Sequence, residues 1–191
     1  MELFSILIGS ILVSNVILSM FLGICPFIGV SKKPSSAIGM GFAVIFVLTL
    51  SSAVVWPLYE FVLVPHEITF MRTIVFILLI ASLVQFVEMF LKKFVPSLYK
   101  SLGVFLPLLT TNCAILGTVI FNSNHGLSFI DSIFNSIGVA VGFTLVIYLF
   151  STMRERIDAN NVPRGFRGAP IALITAALIA MAFAGFAGLA G

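Results

Sequence analysis

The chain has 191 residues, of which 60% are hydrophobic and only 9% charged, with a mean hydropathy of +1.22. Soluble globular chains carry about 25% charged residues, and a soluble fold of this size has too much surface for its volume to hide so much apolar area. A bilayer removes that constraint and requires instead that backbone polar groups pair internally, which in unbroken apolar runs means helices rather than the alternating strands of a β-barrel.

A spanning helix needs roughly 20 apolar residues, and six stretches qualify, approximately 3–24, 36–58, 70–91, 101–121, 130–151 and 169–189. The first opens Met1-Glu2 without a basic region and runs on apolar to Val30, so it is expected to be a span and not a secretory signal. Ser31-Lys32-Lys33-Pro34-Ser35 separates it from the second span, and Pro65-His66-Glu67 precedes the third. Lys92, Lys93 and Pro96 close the third, Asn122-Ser123-Asn124-His125-Gly126 follows the fourth, and Arg154 to Arg167 follows the fifth. None of these breaks is long enough to fold alone, so residues 1–191 are expected to form one all-α integral membrane domain.

The net charge of +3 says less than its distribution. Lys32, Lys33, Lys92, Lys93, Lys100, Arg154, Arg156, Arg164 and Arg167 fall on one side of this topology, and Arg72 alone falls on the other. The positive-inside rule makes the basic side cytoplasmic and puts both termini outside. Basic residues spread over short loops fit topology better than a nucleic-acid surface, so no nucleic-acid partner is expected.

Three predicted helices precede Pro96 and three follow it, and the halves resemble each other. Cys25-Pro26-Phe27-Ile28-Gly29 matches Cys113-Ala114-Ile115-Leu116-Gly117, and the surroundings of Gly39 and Gly41 match those of Gly138 and Gly142. Three crossings is an odd number, so a duplicated unit (approximately 1–95 and 96–191) enters from opposite faces as an inverted repeat. Such repeats place their special site near the midplane on discontinuous helices. Both cysteine segments carry breakers. Met1 to Val30 would extend about 45 Å as one helix, against a hydrocarbon core of about 30 Å. Pro26 is expected to end a helix at Cys25, with Gly23 and Gly29 around it, while Pro107 and Thr110-Thr111-Asn112 precede Cys113. Spans one and four are therefore expected to be broken at the cysteines, with converging loops.

The chain's two cysteines are these two. They can be small buried hydrophobes. A disulfide is disfavoured in a membrane facing the cytoplasm, and a structural zinc site lacks its remaining ligands, since His66 and His125 lie in outward loops. The third reading is half of an iron–sulfur site, two thiolates here and two from a partner. In it, Gly29 and Gly117 let backbone N–H groups approach the sulfurs, and Asn112 supports Cys113 from the adjacent position.

Several segments are recognisable. Phe21-Leu22-Gly23-Ile24-Cys25-Pro26-Phe27-Ile28-Gly29-Val30-Ser31-Lys32-Lys33 and Phe105-Leu106-Pro107-Leu108-Leu109-Thr110-Thr111-Asn112-Cys113-Ala114-Ile115-Leu116-Gly117 resemble the signature of the A subunits of Rnf electron-transport complexes. That family also includes the E subunit of the sodium-pumping NADH:quinone oxidoreductase. The resemblance covers essentially the whole chain, and Thr111 before Asn112 leans toward Rnf. It implies one component, not catalytic alone, of a translocase that passes electrons between ferredoxin and NAD and moves Na+ or H+ across the cytoplasmic (inner) membrane. It implies pairing with a paralogous E subunit, assembly with the B, C, D and G subunits, and a shared intramembrane [2Fe–2S] cluster to which Cys25 and Cys113 are this chain's iron ligands. No flavin-attachment motif and no dinucleotide-binding glycine loop are evident, so no flavin is expected on this chain. The rival of another class is a small secondary transporter or channel without a cluster.

Glu88 has two readings. It lies four residues before Lys92, the spacing of a helix-surface ion pair, and an intramembrane acid also marks ion pathways. Asn15 reads as an interhelical hydrogen-bonding group, and Gly138 and Gly142 as a close-packing face.

Overall fold

The computed structural model describes residues 11, 15–65, 71–94, 108–109, 111–160, 162–163 and 165–185. Among these residues the chain is all-helical, with seven α-helices and no strand. They are α1 (Val16–Met20), α2 (Ile24–Val30), α3 (Pro34–Leu58, prolonged by a π-helical turn Tyr59–Leu63), α4 (Arg72–Phe94), α5 (Cys113–Asn124), α6 (Phe129–Asp158) and α7 (Ala169–Ala184).

Among the described residues, three helical segments are long and apolar enough to cross a membrane: Pro34–Leu63, Arg72–Phe90 and Phe129–Asp158. They correspond to the second, third and fifth predicted spans. The sixth is a shorter apolar helix, α7. Of the fourth, residues 101–107 lie outside the described residues, and its described helix starts at Cys113. The first span is not one helix in its described part, because α1 stops at Met20 and α2 restarts at Ile24.

Local chemistry explains where the helices begin. Ser128 caps α6, its Oγ accepting from the Asp131 N–H at 3.3 Å and donating to Asp131 Oδ2 at 2.6 Å. Proline stands in the first turn of α3 and of α7, where its missing N–H leaves no helical bond unmade. Pro57 lies inside α3, two residues before the π-helical turn begins at Tyr59.

The central pair is α3 against α6, the most extensive packing among the described helices. They run antiparallel. Trp56 Nε1 near the end of α3 donates to Leu127 O just before α6, at 2.8 Å. At the opposite end, Arg154 Nη1 near the end of α6 donates to Ser31 Oγ, just before α3, at 3.0 Å. The basic residues Lys32, Lys33 and Arg156 thus share one end of the bundle. Met40, Val44 and Leu48 of α3 and Phe143, Ile147 and Phe150 of α6 form the core with Phe27 of α2 and Ile115 of α5.

The outside is as apolar as the inside. Ile74, Ile77, Leu78, Phe86, Met89 and Phe90 of α4 are exposed, while a polar cluster is buried at the end away from the basic loops. There Asn122 Nδ2 donates to Ser132 Oγ at 2.9 Å and Ser136 Oγ at 3.1 Å, and Asn122 Oδ1 accepts from Asn135 Nδ2 at 2.6 Å. In hydrocarbon, helices gain no hydrophobic energy by meeting, so close packing and interhelical hydrogen bonds hold them together.

Candidate functional site

The two cysteine segments meet. Gly23, two residues before Cys25, donates its backbone N–H to Cys113 Sγ at 2.9 Å. The geometry of each segment follows from its own residues. On one side, α1 ends with Phe21 at φ +56° and Gly23 at φ +86°. A bulky residue at positive φ is an outlier in folded chains and stores strain, whereas Gly23 adopts that region freely. Gly23 is also tightly enclosed, since a Cβ there would lie 2.8 Å from Phe143 Cε2 and 3.2 Å from Ala114 Cβ. The two unusual residues turn the chain, and α2 starts immediately with Cys25 as its second residue and Pro26 as its third.

That corrects the expected role of Pro26. It does not end a helix at Cys25. It lies in the first turn of the helix that follows the break, where a missing N–H is harmless and a fixed φ helps initiation.

On the other side, Asn112 caps α5. Its Oδ1 accepts from the Ala114 N–H at 3.0 Å, and Cys113 is the first helical residue. The thiol therefore sits in the first turn of a twelve-residue helix. Asn112 is 4% exposed, and its Nδ2 has no hydrogen-bond partner.

α2 and α5 leave this junction in opposite directions. α2 runs to the basic end, where Arg154 receives it, and α5 runs to the polar cluster around Ser132. Ser132 and Arg154 are separated by roughly 33 Å along α6 at 1.5 Å per residue, so the junction lies between the two ends of the bundle.

Cys25 is exposed, Cys113 is half-buried, and both are free thiols. A cavity of about 420 Å³ opens beside Cys113, lined by Thr111, Asn112, Leu116 and, from α4, Ile77, Ile80, Ala81 and Gln85. Glu88 lies half-buried on α4 one turn beyond Gln85 and does not line this cavity. Gly29 and Gly117 are in the second turns of α2 and α5. The N–H that reaches a described sulfur is neither of theirs but that of Gly23. What Gly117 provides is room, because a Cβ there would collide with Leu22 Cδ1 from the opposite segment. Among the described residues no three His, Cys, Asp or Glu side chains gather into a metal-binding group.

Residues 3–190 match the family model described as Rnf-Nqr subunit, membrane protein. The chain belongs to the Rnf-Nqr family. Its relatives in that family include the A subunit of the ion-translocating oxidoreductase complex of Azoarcus sp. strain BH72, 54% identical over 188 residues, covering 98% of this chain and 97% of the relative. The same protein of Vibrio vulnificus strain YJ016 is 53% identical over 188 residues, covering 98% of each. The A subunit of the Na(+)-translocating ferredoxin:NAD(+) oxidoreductase complex of Acetobacterium woodii is 52% identical over 189 residues, covering 99% of this chain and 98% of the relative.

Sequence reasoning misses three participants. Gly23 reads there only as permissive backbone. Arg154 counts only toward topology. Asn122 falls in a predicted loop, although Ser132, Asn135 and Ser136 at i, i+3 and i+4 mark a polar helix face for it to meet.

Proposed function

We propose that this chain is the membrane-embedded A subunit of an ion-translocating ferredoxin:NAD oxidoreductase, in which Cys25 and Cys113 ligate an intramembrane [2Fe–2S] cluster shared with a paralogous subunit. The observation that carries the reading is the meeting of the two cysteine segments through the Gly23 N–H and Cys113 Sγ. The relatives named as subunits of ion-translocating oxidoreductase complexes supply the class, a redox-driven translocase.

The residues suit such a group. Two free thiols flank one junction, the Gly23 N–H is aimed at sulfur, and the orphaned, buried Asn112 Nδ2 is a donor with no acceptor of its own. A [2Fe–2S] cluster takes four thiolates and supplies one-electron chemistry when bound, so two more come from the partner. Gly23 and the N-terminus of α5 stabilise negative charge on the Cys113 sulfur, and Asn112 has an amide N–H to offer a further sulfur. The apolar surroundings exclude water and make any charge there costly unless it is compensated. That cost links electron transfer to cation movement, of Na+ or H+. Six spans in two inverted halves, with α2 and α5 as equivalent half-helices, provide the rocking element. Glu88 and Gln85 on α4 are the groups from which a cation path is built.

The test is anaerobic reduction of the purified complex with EPR and iron quantitation for wild type, Cys25→Ser and Cys113→Ser. We expect a [2Fe–2S] signal in the wild type, lost in both variants together with ion transport. A signal that survives either substitution removes that cysteine from the ligand set. An intact wild-type pair without iron moves the reading to a transporter.

A further inference from the structure

The helix that carries Cys25 is too short to hold itself. α2 has seven residues, and its N-cap, Gly23, offers no side-chain hydrogen bond. Isolated helices below about 12–15 residues are marginal, and the last four carbonyls of any helix lack partners within it. What fastens the far end of α2 comes from α6, a hundred and more residues along the chain. Arg154 is only 6% exposed, and its Nη1 donates to Ile28 O at 2.9 Å and to Ser31 Oγ at 3.0 Å. Ser31 is fully buried and also hydrogen-bonds Ile28 O at 3.4 Å. One turn earlier on α6, Phe150 stacks on Phe27 with ring centroids 4.1 Å apart. Arg154 Nε has no hydrogen-bond partner and lies 4.0 Å from Asp158 Oδ2. Its neighbour Arg156, by contrast, is exposed.

A buried cation is expensive and persists where it is paired with hydrogen-bond acceptors or acids. Topology needs only the charge near the interface, which Arg156 already supplies. Burial and two aimed hydrogen bonds are beyond that need. We propose that Arg154 is the positioning residue for Cys25, the clamp by which α6 sets the place of the cysteine-bearing half-helix at the junction. A cation at the carbonyl end of a helix also satisfies its dipole, and the planar guanidinium spans two acceptors where an ammonium is a point charge. α6 is packed along its length on α3, so movement of that pair is passed to Cys25 through Arg154 and the Phe27–Phe150 stack. The consequence for electron relay rests on Cys25 being a ligand, but the clamp itself does not.

The experiment uses the assembled complex with Arg154→Gln, Arg154→Lys and Ser31→Ala. Amide hydrogen exchange by mass spectrometry reads the peptide covering residues 24–31, with the peptide covering 113–120 as an internal control. EPR of the reduced complex reads the iron–sulfur signature. Loss of the clamp in Arg154→Gln is expected to speed exchange in 24–31 by about tenfold, the signature of local opening. Exchange in 113–120 stays unchanged, and the EPR line shape shifts or broadens. Lysine restores the charge and part of the protection, and Ser31→Ala gives a smaller loss at the same peptide. Equal acceleration in both peptides assigns Arg154 to general stability and overturns the proposal, as does unaltered exchange in 24–31. If Arg154→Gln does not assemble, Arg154→Lys and Ser31→Ala decide, and unchanged exchange in both overturns it. A wild-type complex without iron defeats the ligand reading while the exchange data still judge the clamp.

Discussion

At the scale of single residues, the two ends of the Asn112 side chain differ. Its Oδ1 caps α5 by accepting from Ala114 N–H, and its Nδ2 is a buried donor with no partner. Asn112→Ala is expected to lose about 1 kcal/mol of stability through the missing cap, whereas Asn112→Ser keeps most of it because the hydroxyl accepts from the same first-turn amides. Unfolding of the two variants in detergent, followed by circular dichroism, checks this, and equal stabilities deny the cap its role. Sequence reasoning singles out Asn112 only for its place beside Cys113. Which atom of its amide caps α5 is not legible there, because it depends on which way the amide points.

At the scale of elements, the α3–α6 contact is set by close approach. A Cβ on Gly41 would collide with Thr144 Cγ2, while one on Gly165 meets nothing within 4 Å. Overpacking of a filled contact costs about 1–3 kcal/mol, so Gly41→Val is expected to lower the melting temperature of the complex and Gly165→Ala to leave it unchanged. A tolerant Gly41 would mean that Thr144 moves aside and that the helices are held elsewhere. The break before Cys25 belongs to this scale too. Sequence reasoning locates the discontinuity within a few residues from the length of the apolar run, but attributes it to Pro26. In the structure the turn is made by Phe21 and Gly23, and the proline begins the next helix. Proline marks both the stop of one helix and the start of another, and sequence spacing does not distinguish them.

At the scale of the whole molecule, the antiparallel α3 and α6 put Lys33 and Arg156 at one end and Asn124 at the other. All three are exposed. With the native thiols protected, a membrane-impermeant maleimide is expected to label Asn124→Cys in intact cells, and Lys33→Cys and Arg156→Cys only in inverted vesicles. Labelling of all three from one side would contradict the orientation inferred from the basic loops.

The membrane class and the three described helices long and apolar enough to cross a bilayer were present in the sequence by itself. Each rests on the free energy of moving a stretch of chain into hydrocarbon, and that quantity is nearly a sum over neighbouring residues. That helices start beside Cys25 and Cys113 was legible for a related reason, since helix breakers inside an apolar run are a local contradiction. Which atoms meet was decided only by the tertiary structure. Gly23 finds Cys113 across 90 residues, and Arg154 finds Ile28 across 126. Such pairings depend on how two helices cross and on where a buried donor must find an acceptor. No local sum contains that information until the bundle has closed.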